Sequence, residues 1–77
     1  MLRQGFVLLQ NSGSAGINAI FNGVDKGDYW GRIGCNTDAE KLVSAWLENT
    51  GHRYRVESAL LFEGDDGDYK VVAQLAR

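Results

Sequence analysis

Chemistry in this chain would have to run through very few side chains. There is one histidine, His52, and one cysteine, Cys35. A catalytic base needs a nucleophile to deprotonate and an acid to orient its ring, and nothing at a suitable spacing offers either to His52. It lies just beyond a predicted helix, where the dipole favours a cation, and reads as a capping or surface residue. Cys35 falls just before the same helix, a position that can activate a thiol. A free cysteine is nevertheless among the most buried residue types, so it reads as a small core or boundary residue.

Two loops invite a ligand and lack the rest of its motif. Asn11-Ser12-Gly13-Ser14-Ala15-Gly16 has the composition of a phosphate cradle, without the Gly-Lys-Ser/Thr ending or a Rossmann glycine spacing. No serine there stands between two glycines each two positions away, which excludes a nucleophile elbow. The segment reads as a turn. Glu63-Gly64-Asp65-Asp66-Gly67-Asp68 places four carboxylates within six residues, without the alternating acids and closing glutamate of a calcium loop. It reads as hairpin turn chemistry that also supplies negative potential. The expectation is no catalytic residue, no metal, no cofactor and no small-molecule substrate: the chain is not an enzyme.

Positioning any site falls to one small domain, residues 1–77. The chain has 77 residues, 44% hydrophobic and 23% charged, with ten glycines, no proline and a formal charge of −2. A chain this short buries only about 60% of the surface its unfolded form exposes. A partner or a second copy is therefore expected to cover more of it. One cysteine excludes an intrachain disulfide and a cysteine zinc cluster, which suits a reducing compartment. No run approaches the roughly 20 apolar residues of a membrane span, and Met1 to Gln10 is too short and too weakly basic for a signal peptide. A cytoplasmic protein without membrane contact is the expectation.

Periodicity then assigns the elements. Gln4 to Gln10 sets Phe6 and Leu8 against Val7 and Leu9, the pattern of a central strand covered on both faces. Ile17 to Asn22 reads as a strand in preference to a short helix. Tyr29 to Cys35 reads as a third strand, with Tyr29, Ile33 and Cys35 on one face and Trp30 and Arg32 on the other. Thr37-Asp38-Ala39-Glu40 is a capping box, so a helix runs from about Asp38 to Thr50 with Gly51 as its C-cap. Its apolar stripe is Ala39, Leu42, Val43, Trp46 and Leu47. Arg53 to Glu63 alternates, with Tyr54, Val56, Ser58, Leu60 and Phe62 on one face, and pairs with Tyr69 to Ala76 in a hairpin. Phe21 to Tyr29 and Phe62 to Tyr69 share Phe, Gly, Asp and Gly-Asp-Tyr in order, so two loops of similar geometry are expected. The sum is an α+β fold, β-β-β-α-β-β: an antiparallel or mixed five-stranded sheet with one helix on one face.

One helix leaves one sheet face open, and the functional expectation rests there. Interfaces favour Trp, Tyr and Arg as anchors, which selects Trp30, Arg32, Arg53 and Arg55, with the Asp65, Asp66 and Asp68 loop as an electrostatic guide. The chain is expected to bind a partner protein, or itself as a homodimer, as an inhibitor or adaptor; its size suits the small proteins of phages and mobile elements. The runner-up is a nucleic-acid module using an Arg and aromatic face, against which the acidic pI near 5.1 counts. Mimicry of DNA phosphates by Asp25, Asp28 and the second acidic loop would need more charge than −2.

Overall fold

The computed structural model describes residues 4–12, 16–27 and 32–76. Strand β1 (Gln4–Ser12) is the middle of the sheet, flanked by β2 (Gly16–Phe21) and, at the other side, by β5 (Tyr69–Ala76). The two-residue β3 (Val24–Asp25) forms one edge and β4 (Arg55–Glu63) the other, giving the order β3-β2-β1-β5-β4. Every pairing is antiparallel. The expected five-stranded α+β layout is therefore present, with β1 central and the 17–22 segment a strand.

The third strand is not where the alternation placed it. Asn22 and Gly23 both take positive φ, 51° and 83°, as a two-residue turn between antiparallel strands requires. The chain accordingly reverses at once, and β3 begins at Val24. The turn is tied to β1 twice: the Phe6 N–H donates to Asn22 Oδ1 and the Asn22 N–H donates to the Phe6 carbonyl, both at 2.9 Å. Arg32 to Cys35, assigned above to a strand with residues 29–31, is irregular. It carries Ile33 into the core, where 3% of that residue is exposed. Trp30, Tyr29 and Asp28 lie outside the described residues.

Helix α1 (Ala39–Thr50) packs over β4 and β5, with Val43, Trp46 and Leu47 buried and Ala39 and Leu42 at the margin of the core. Its N-cap is Asp38 and not Thr37. The Asp38 carboxylate accepts the Lys41 N–H at 3.2 Å, while the Thr37 hydroxyl is engaged upstream, accepting the Gly34 N–H at 2.6 Å. With the Thr37 hydroxyl held by the Gly34 N–H, the next residue takes over the cap. At the other end Gly51 sits at φ 77° and donates to the Glu48 carbonyl, the expected left-handed cap. Asp38→Ala should cost about 1 kcal/mol. A fall in Tm of about 4–8 °C in a thermal melt is the expected result.

The sheet face under the helix holds the core. Val7, Leu9, Ala19, Phe21, Val71, Ala73 and Leu75 alternate inward from three strands and meet the helix stripe. The same pleat turns Phe6 outward, so β1 is covered on one face and not two. In β4 the alternation is broken. Val56 pairs with Leu75 and Ser58 with Gln74, which leaves Glu57 as one extra residue, a β-bulge. The expected single face of Tyr54, Val56, Ser58, Leu60 and Phe62 is thereby split: Tyr54 and Val56 pack on the core with Ala59 and Leu61, while Ser58, Leu60 and Phe62 turn away.

The two similar loops share one detail. Gly27 and Gly67, each followed by Asp-Tyr, take φ values of 83° and 78°. They otherwise diverge, the first closing a tight turn and the second a short 3-10 turn at Asp65–Gly67.

Candidate protein-binding face

Register assembles the open face from four strands. Ile20 lies opposite Leu8, Leu8 opposite Val72, and Val72 opposite Leu60, so one apolar rung crosses β2, β1, β5 and β4. The rungs on either side carry Phe6 with Gln74 and Ser58, and Gln10 with Lys70 and Phe62. The two phenylalanines stand at diagonal corners of this patch. Phe6 is 46% exposed, Leu60 61% and Phe62 50%. These are large apolar side chains held in water by backbone pairing. An exposed patch of this kind marks an interaction site more often than chance.

Polar groups ring the patch. Lys70 stands beside Phe62, and Arg55, opposite Ala76, stands at the far end of β4 on the same face. Asp25, opposite Ile20, is the acid at the β3 edge, and its carboxylate is already engaged by the Gly27 N–H at 2.8 Å. Asn18, opposite Gln10, keeps its Oδ1 buried without a hydrogen-bond partner. The face therefore combines an apolar centre with a weakly cationic rim, in a chain that is acidic overall. Negative charge is concentrated instead in the β4–β5 turn, where Asp65 is exposed and the Asp65 carbonyl accepts the Asp68 N–H at 3.2 Å.

The residues selected from sequence do not form one surface. Arg55 is on the open face, and Asp65 and Asp68 lie in the turn at the end of its hairpin; the Asp66 side chain and Trp30 are outside the described residues. Arg32 is exposed on the irregular segment before α1, because that segment is not a strand. Arg53 is exposed ahead of β4 and outside the paired ladder. The two acidic loops are also separated, Asp25 at the β3 edge and Asp65 beside β4 at the opposite edge. What sequence reasoning missed is Phe6, Leu60 and Phe62. The bulge at Glu57 hid the last two, since strict alternation put them on the face of Tyr54 and Val56.

The other side of the sheet carries the groups first considered for catalysis. His52 is half-buried in an aromatic stack, 4.4 Å from the Phe21 ring at an interplanar angle of 17°, and 5.5 Å from Trp46. Tyr54 meets Phe21 edge-on at 5.6 Å. The His52 backbone N–H donates to the Leu47 carbonyl at 3.1 Å, the expected capping position, while its imidazole is a packing element and not a surface group. Cys35 is exposed rather than at the core, since Ile33 occupies the inward position. It lines an open depression of about 530 Å³ with Asn11, Arg32 and Thr37. Among the described residues there is no cluster of three His, Cys, Asp or Glu groups able to hold a metal ion, and no helix is long and apolar enough to cross a membrane.

Compared with known proteins, the chain matches no family model, no curated protein and no solved structure.

Proposed function

We propose that this chain is a non-enzymatic protein-binding module, an inhibitor or adaptor that works through the open face of its sheet. The observation that supports this reading is the rung Ile20–Leu8–Val72–Leu60 with Phe6 and Phe62 at its corners, an apolar centre inside a polar rim. Phe6, Leu60 and Phe62 take the anchoring role, with Arg55 and Lys70 at the margin. The lone thiol supports placing it in the cytoplasm. A nucleic-acid interface is less well supported, because Arg55 and Lys70 are the described cations of the ladder that face outward, too few for a phosphate track.

Retention experiments test the reading. Immobilised wild-type chain should hold a discrete protein, and the Leu60→Glu, Phe62→Glu double variant should lose it by at least tenfold, while keeping the circular dichroism of the folded sheet and helix. Equal retention by both chains would show that binding does not run through this face.

A further inference from the structure

We infer that the protein occupying the open face is a second copy of this chain, packed sheet to sheet about a twofold axis that runs along the Ile20–Leu8–Val72–Leu60 rung. This rests on the binding-face reading above and names its partner. Three observations lead to it.

The first is area. Phe6, Leu60 and Phe62 alone leave about 300 Å² of apolar surface in water, taking about 200 Å² for a whole large side chain. The half-buried members of the rung, the stems of Lys70 and Arg55, and the small polar side chains between them add to that area. A standard interface buries about 800 Å² per partner.

The second is shape. A twofold axis along the rung places each rung residue against its own counterpart and exchanges the two flanking rungs. Phe62 then falls over Ser58 of the second copy, and Phe6 over its Gln10. Each protruding ring meets a small or flexible polar side chain, in both directions at once, as an isologous contact requires.

The third is charge. The same axis reverses the strand direction, so the Arg55 end of β4 lies over the Asp65 end of β4 in the second copy, twice in the dimer. Lys70 falls opposite Gln74 and not opposite itself. At the β4 edge a cation at one end and an acidic turn at the other thus become complementary when two copies meet head to tail across the face. At the β3 edge Asp25, which continues the rung beyond Ile20, falls over its own counterpart as a like-charge contact. The product is a four-layer sandwich, helix, sheet, sheet, helix, with the Phe6 and Leu60 surface converted into a second core.

Light scattering across a dilution series tests this. The wild type should have twice the 8.5 kDa chain mass and fall to one chain on dilution. Leu60→Glu and Leu60→Lys should each be monomeric at every concentration, and an equal mixture of the two should regain the dimer, because the axis sets residue 60 against itself. Ser58→Arg, which fills the recess under Phe62 without removing any core contact, should also be monomeric and keeps the test open if a residue 60 variant folds poorly. A monomeric wild type, a Leu60→Glu chain that remains dimeric, or a mixture that stays monomeric would each overturn the inference. The broader reading is judged separately, since a monomeric wild type that retains a protein lost by the Leu60→Glu, Phe62→Glu chain would still use this face for a different partner.

Discussion

Trp46→Ala is expected to lower the free energy of unfolding by about 3–5 kcal/mol. Trp46 is 3% exposed and stands between Val43 and Leu47 among the buried residues of the helix stripe. It lies 5.7 Å from Phe21 and 5.5 Å from His52, so its removal also unsupports the stack that closes the end of the sheet. A domain of 77 residues has about 4–12 kcal/mol of stability at the usual value per residue, so the variant should lose a large share of it and melt well below the wild type. A urea or thermal melt followed by circular dichroism decides it. A midpoint close to wild type would mean that the helix does not present this side chain to the sheet.

A second large effect separates two adjacent leucines. Leu9 is fully buried in the central strand, paired with Ala19 on one side and Val71 on the other. Leu9→Ala should cost about 2–5 kcal/mol, with the upper end favoured because a central strand cannot collapse into the cavity. Leu8, its neighbour on the opposite face, is half-buried, and Leu8→Ala should cost about 1 kcal/mol when measured at a dilution where the chain is monomeric. The ratio is the informative quantity. Equal losses would show that both faces are covered within one chain, and the open face would cease to exist as a binding surface.

The parts of the fold that were legible in the sequence are those governed by local physics. Helix α1 follows from one stripe, Ala39 to Leu47, and from Gly51, whose left-handed conformation ends it. The β4–β5 hairpin follows from two alternating runs around an acidic turn. The misplacements arise where tertiary constraints decide between local alternatives of similar merit. Thr37 and Asp38 are both good caps, and only the engagement of Thr37 by the Gly34 N–H selects Asp38. The apolar Ile33 looked like a strand residue because burial has the same composition whether it comes from a strand or from an irregular plug.

The candidate site was half legible for the same reason. That a single helix leaves a sheet face open follows from counting layers. Which residues occupy that face depends on register, and register in β4 depends on one unpaired residue with no signature of its own. Arg55 was selected from its residue type and does lie on the face, whereas Arg32 was assigned to a strand that does not exist there. Choosing anchors by type favoured Trp and Arg and passed over Phe6, Leu60 and Phe62, which are ordinary core residues until the pleat turns them outward.

The bulge at Glu57 is what lets one strand of this sequence serve two faces. Loss of the Glu57 codon would leave a regularly alternating strand, with Tyr54, Val56, Ala59 and Leu61 on the core side and Ser58, Leu60 and Phe62 still facing out. The residue that hides the pattern in the sequence is therefore the one the surface can do without, and a one-codon deletion there should leave both the core and the open face in place.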